Sequence, residues 1–188
     1  WTANIPGFGL LAKDFPDPAL HIWDYDISLC KPAAYAPMGQ VALKPFVGTI
    51  GLALAEPGLH SVVPPRRVGG NLDIRDNCTG TTLYLPVEVQ GGLLSLGDTH
   101  AAQGDGEICG TAIESPMEVE IKVELIKNAG FVFPRLETAG PVTNHIDGQG
   151  YRITTGVGDD LMVAARDAGS EMIDWICATT QMSAVNAY

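Results

Sequence analysis

The sequence predicts a mainly β, α+β fold: an antiparallel, sandwich-like sheet domain with one amphipathic helix at its C-terminal end. Three observations predict it. Extended segments separated by Gly and Pro breakers crowd the first 155 residues. The clearest alternation, MEVEIKVELI at 117–126, sets Met117, Val119, Ile121, Val123 and Leu125 on one face and Glu118, Glu120, Lys122 and Glu124 on the other. That is the pattern of a strand with one core face and one wet face. Long helical periodicity comes last, at Leu161, Ala165, Ala168, Met172 and Ile176. Strands first and a helix last favour α+β over an alternating parallel fold.

Taken in order, residues 1–40 form a loop-rich N-terminal segment, dense in Pro, Gly, Asp and aromatics. Residues 41–137 form the β-rich core. Within it, 41–55 read as one or two extended segments broken by Pro45 and Gly48, and EPGLHS makes a turn. TTLYLPVEV (81–89) has strand composition, but Pro86 cannot donate to a ladder, so this strand lies at an edge or bulge. LLSLG opens the next strand, 117–126 follows, and FVFPRLE (131–137) adds another. Residues 138–188 bring YRITT (151–155) and the helix, with Asp159 as its N-cap and Gly169 costing up to about 1 kcal/mol of helix propensity. Residues 138–188 are expected to share the domain of the β-rich core, and the length fits one large domain or two small ones.

The 188 residues are 46% hydrophobic, enough for a sizeable core, and no apolar run reaches the roughly 18 residues that span a bilayer. A formal net charge of −11 opposes phosphate backbones, so nucleic acid and anionic membrane are excluded as partners and a small neutral substrate fits. Cys30, Cys78, Cys109 and Cys177 lie far apart with no C-x-x-C, and read as reduced thiols of a cytoplasmic protein. The chain opens on Trp1 without a targeting segment and stops at QMSAVNAY, and reads as a partial chain.

Most of the chemistry sits in GDTHAAQGDGEICGTAIE, residues 97–114. Asp98 and His100 are two apart after LLSL; on a strand they share a face with alpha carbons roughly 6.5–7 Å apart, within reach of one ion. Carboxylate plus imidazole suits zinc or another divalent first-row metal. The alternative is that both are turn residues ending a strand. GDGEICG is rejected as a dinucleotide loop because its third glycine is misplaced and no helix pattern follows. TNHIDGQG (143–150) fails the calcium-loop spacing; there His145 and Asp147 either line a pocket or belong to a hydrated loop.

EPGLHSVVPPRRVGGNLDIRD (56–76), GTTLYLPVEV (80–89) and GDTHAAQGDGEICGTAIE (97–114), in this order, strongly resemble the acetamidase/formamidase family. PGFGLLAKDFPDP and AARDAGSEMIDW (164–175) are similar to it too, so the resemblance covers nearly the whole chain. It implies hydrolysis of short amides such as formamide and acetamide to the acid and ammonia, with some members acting on cyclic amides. It also implies a mainly β, sandwich-like fold and a parent chain considerably longer at both ends.

Amides are poor electrophiles with poor leaving groups, so hydrolysis needs an activated nucleophile, a stabilised oxyanion and a proton for the nitrogen. A divalent metal, zinc first, supplies the first two. Asp98 and His100 are the preferred ligands, joined by His60 and Asp73 because each lies in a matching family motif. Set against this, His60 in a turn also reads as a surface histidine, and Asp73 can pair with Arg66 or Arg75. Asn71, two before Asp73, can donate to the substrate carbonyl from the same face of an extended segment. Glu114, beside apolar Ala112 and Ile113, is the expected acid/base, with Glu107 in reserve; its bland reading is a turn residue before Ser115-Pro116. Two alternatives stand: a non-catalytic β-sandwich binding fragment, and a thiol amidase using Cys109, which nonetheless has no neighbouring cation in sequence to ionise it. Amphipathic edges such as 81–89 need covering, so a homo-oligomer is expected.

Overall fold

The computed structural model describes residues 1–26, 31–35, 39–139 and 152–188. It is mainly β with a C-terminal helix, as the sequence predicts. Among the described residues ten strands fall into one four-stranded and three two-stranded sheets, followed by two helices. His145, Asp147 and Cys30 lie outside the described residues, as does Tyr151 at the head of YRITT.

The chain divides into two compact units. The first comprises Trp1–Leu43, Ala102–Ile113 and Val142–Tyr188. In it β1 (Thr2–Asn4) pairs antiparallel with β2 (Ala19–His21), and β3 (Ala33–Tyr35) with β4 (Gly39–Val41). Buried Asn4 ties the intervening loop down, its amide donating to the carbonyls of Phe15 and Asp17, both at 2.8 Å. Helix α1 (Leu161–Thr179) starts one residue later than the sequence predicts. Asp160, not Asp159, has the extended backbone of a cap and accepts from the Val163 amide at 2.8 Å. The inward face is the predicted one except at its first position: Ala165, Ala168, Met172 and Ile176 are half-buried around buried Ile173, while Leu161 is open to solvent. A short helix, α2 (Ala184–Ala187), brings Tyr188 to stack on Phe15 at 4.4 Å.

The second unit comprises Lys44–Ala101 and Glu114–Pro141. Its centre is the four-stranded sheet in the order β6 (Gly69–Asn71), β5 (Phe46–Gly51), β8 (Ser95–Ala102), β9 (Ile113–Glu114). Strand β5 is antiparallel to both neighbours, with Thr49 opposite Asn71 on one side and Gly97 on the other, and Phe46 opposite His100. Its core residues are Phe46, Ile50, Val68 and Ala101. β7 (Thr82–Tyr84) pairs with β10 (Arg135–Glu137), so the predicted strand at 81–89 stops before Pro86, where a ladder donor is missing.

The strand expected at 117–126 is a correction, as is that at 152–155: no ladder forms at either among the described residues. Alternation selects which side chains face together, but a strand also needs a partner for its backbone groups. Val119, Ile121, Val123 and Leu125 are instead exposed, Leu125 by 73%.

Candidate functional site

The site is built on the middle of β5 and β8 in the second unit. Within β8, His100 is 1% exposed, and its ring meets Phe46, its cross-strand partner, edge to face at 4.9 Å. Such a contact contributes about 0.5–1.5 kcal/mol beyond area burial and fixes the plane of the imidazole. His100 Nε2 lies 3.2 Å from Asp98 Oδ1 and 3.3 Å from Glu114 Oε2. Burial alone pulls the imidazole pKa down, but the hydrogen bond and charge of Glu114, with the charge of Asp98, outweigh it and raise the pKa to about 9. A positive charge is therefore favoured at this vertex.

Asp73 completes the arrangement. It follows β6, and its amide donates to the Gly48 carbonyl at 3.1 Å. Donor atoms of Asp73, Asp98 and His100 all lie within 4.8 Å of one another. Zinc with arms of about 2.0–2.2 Å in a tetrahedron holds its ligand atoms about 3.3–3.6 Å apart, close to the 3.2 Å between His100 and Asp98. Two carboxylates and an imidazole fit a divalent first-row ion and leave positions open for water or substrate.

Both aspartates sit in the left-handed region, Asp73 at φ 47° and Asp98 at φ 50°. Asp tolerates this better than most residues, at a cost on the order of 1 kcal/mol. The consequence for Asp98 is geometric. In strict alternation Asp98 and His100 share the face of Gly48 and Phe46, while Thr49 belongs to the opposite face. The left-handed backbone lets one carboxylate reach both, Oδ1 toward His100 and Oδ2 to the Thr49 hydroxyl at 3.0 Å.

Gly48 is the floor of the site. A Cβ there would stand 2.8 Å from Asp73 Oδ1, 2.8 Å from the Asp98 carbonyl oxygen and 2.9 Å from His100 Cε1. Sequence reasoning used Gly48 only as a breaker and missed Thr49. A glycine inside the strand run FVGTIG is the available signal, since such positions mark close approach of other groups.

The other expected residues are placed as follows. Asn71 is engaged at both ends of its amide: Nδ2 donates to the Val63 carbonyl at 2.9 Å and Oδ1 accepts from Thr49 at 2.7 Å. Asp73, turned by its left-handed φ, does not share its face. His60 stands outside the Asp73–Asp98–His100 group, with Nε2 2.9 Å from the Glu56 carbonyl in its own turn. Glu114 is in the group's immediate surroundings through His100, its side chain 12% exposed. Glu107 belongs to the first unit, where its carbonyl closes a turn with the Gly110 amide at 3.0 Å. Cys109 is in that unit too, buried, its thiol donating to the Thr111 carbonyl at 3.6 Å.

A sequence model of the Acetamidase/Formamidase family matches residues 53–188. The chain is 43% identical over 117 residues to the acetamidase of Mycolicibacterium smegmatis, covering 56% of this chain and 27% of that protein. It is 54% identical over 68 residues to the formamidase of Methylophilus methylotrophus, covering 35% and 16%. The solved structure of a gamma lactamase from Delftia acidovorans superposes with a TM-score of 0.81 at 28% identity, over 97% of this chain and 58% of that one. The chain thus spans about a quarter or less of these two curated relatives.

Proposed function

The chain belongs to the acetamidase/formamidase family, and from that premise we propose that the protein hydrolyses short aliphatic amides, formamide and acetamide first, to the carboxylic acid and ammonia. The observation that carries the reading is the convergence of Asp73, Asp98 and His100 donor atoms within 4.8 Å. These three residues would hold a divalent ion, zinc first. Bound there, the ion supplies a water of lowered pKa and a Lewis acid for the carbonyl.

The chain's own groups do the rest. Phe46 and the burial of His100 fix the imidazole, and Gly48 leaves room for three ligand side chains over one strand. Glu114, whose carboxyl borders the vertex at His100, takes a proton from the attacking water and returns it to the departing nitrogen. Water adds its oxygen to the carbonyl carbon, the carbon–nitrogen bond breaks, and ammonia leaves with the transferred proton. The small neutral substrate agrees with a chain of net charge −11, which repels anionic polymers.

The free thiols Cys78, Cys109 and Cys177 support a reducing, cytoplasmic setting, and among the described residues no helix is long and apolar enough to cross a membrane. The exposed apolar side chains of 119–125 support a homo-oligomer, which light scattering tests.

The activity test is ammonia release from formamide, acetamide and a cyclic amide, before and after chelation and after zinc is restored. The expected result is loss on chelation and recovery with zinc. Full turnover by protein shown to be free of metal would overturn the metal part, and no ammonia from any amide would overturn the reaction.

A further inference from the structure

We propose that Thr49 is a positioning residue for the metal centre: its hydroxyl, held by Asn71, anchors Oδ2 of Asp98 so that Oδ1 is presented to the ion. The inference rests on the metal reading above and concerns residues that reading leaves without a role.

Three contacts define the device, all within the second unit. Thr49 Oγ1 is 2.7 Å from Asn71 Oδ1 and 3.0 Å from Asp98 Oδ2, and Asn71 Nδ2 donates to the Val63 carbonyl at 2.9 Å. The last contact sets which way the amide points. A flipped Asn71 would turn its oxygen on the Val63 carbonyl, so the oxygen faces Thr49. Thr49 has one proton and two acceptors in reach. The hydroxyl hydrogen is shared between them in a three-centre bond, in which the ionised carboxylate is the stronger acceptor.

Strand register makes the arrangement rigid. Thr49 is on the central strand β5, directly opposite Asn71 on β6 and Gly97 on β8, so the hydroxyl is located by ladders on both sides. Thr is β-branched and stiff at χ1, which further limits where Oγ1 can go. Asp98 by contrast is 37% exposed at its side chain and left-handed in its backbone. Without a second anchor its carboxylate has freedom to rotate away from His100. Groups that orient metal ligands in this way typically change metal affinity 10–100-fold when removed.

The test compares Thr49→Val, Thr49→Ala and Thr49→Ser in the purified protein. Zinc dissociation constants are measured by competition with a chromophoric chelator, the visible spectrum is recorded with cobalt(II) in place of zinc, and melting is followed without metal. Thr49→Val and Thr49→Ala are expected to weaken zinc about 10–100-fold and to alter the cobalt spectrum. Thr49→Ser, which keeps the hydroxyl, is expected to stay near wild type in both. A purely structural role would instead move the melting temperature and leave the cobalt spectrum of the folded protein unchanged. Unchanged zinc affinity in both hydroxyl-free variants, or Thr49→Ser as weak as Thr49→Val, overturns the inference alone. A wild-type protein that takes up neither metal overturns the metal reading and this inference with it.

Discussion

Replacing Gly48 by Ala tests the site with the smallest possible perturbation, one methyl group. Gly48 does not have the positive φ that would strain an alanine, so space alone decides the outcome. The new Cβ would meet Asp73 Oδ1 at 2.8 Å, the Asp98 carbonyl oxygen at 2.8 Å and His100 Cε1 at 2.9 Å, against ordinary contacts of 3.4–4 Å. Each neighbour must retreat by about half an ångström, and one of them is backbone on the adjoining strand. Overpacking of this kind costs about 1–3 kcal/mol, offset by about 0.4–1 kcal/mol from the stiffer unfolded chain. The net expectation is a loss of about 1–2 kcal/mol, several degrees in Tm for a chain of this size. Two of the three displaced groups are proposed ligands, so zinc affinity should fall at least tenfold and amide turnover with it. Gly97, next to Asp98, is the matched control: a Cβ there meets nothing within 4 Å, and Gly97→Ala should bind zinc and melt as wild type does. Melting, zinc competition and ammonia release on the two variants decide it. Wild-type zinc affinity in Gly48→Ala would refute the placement of the ligands around this strand.

Three further outcomes are expected. Asp98→Asn keeps a residue that tolerates the left-handed backbone but removes the charge, so the fold should persist while zinc uptake is lost; an amide that still binds zinc tightly would remove Asp98 from the ligand set. In chelated protein the His100 pKa of about 9 lies above the unfolded value of about 6.5, so the folded state holds the proton more tightly and gains on the order of 3 kcal/mol. That contribution is complete below about pH 6.5 and is lost as pH rises through about 9. Urea unfolding of the metal-free protein at several pH values should show the decline, and Glu114→Gln should flatten it; a stability that rises across this window would contradict the assignment. Gly169→Ala in α1 should stabilise by up to about 1 kcal/mol, because its Cβ would meet Leu10 and Leu11 at 3.6 and 3.7 Å, ordinary contacts, while helix propensity improves; destabilisation on melting would count against the helix packing described.

What the sequence made legible follows from the range of the interactions involved. Asp98 and His100 read as neighbours because two-residue periodicity is local, and the two side chains do lie 3.2 Å apart. The helix is equally legible, since its periodicity and an acidic cap are both local; the structure differs only in taking Asp160 rather than Asp159 as the cap and in leaving Leu161 exposed. The strand at 117–126 shows the limit. Its alternation is the cleanest in the chain, yet alternation says nothing of whether a second strand lies alongside, and the described residues provide none. Asn71 and Asp73 fail for a related reason: a shared face presumes extended backbone, and Asp73 is left-handed.

The same reasoning explains why the residues around the ligands were invisible. Gly48 and Thr49 matter only because β5 lies between β6 and β8 in one register; a shift of one residue would put Gly48 or Ile50 opposite Asn71 and leave Asp98 without its hydroxyl. Two aspartates held at φ near 50° and a glycine with no room for a methyl group are each unfavourable for folding alone. They are gathered within one short stretch of sheet, and His100 owes its raised pKa to Glu114 and to Asp98, the second of which is itself a proposed ligand. Proton and metal ion then compete for one vertex, so zinc binding should release a proton and tighten as pH rises toward 9. On the proposed metal reading, a bound ion would offset that local strain, and its loss on chelation should lower the melting temperature of the sheet.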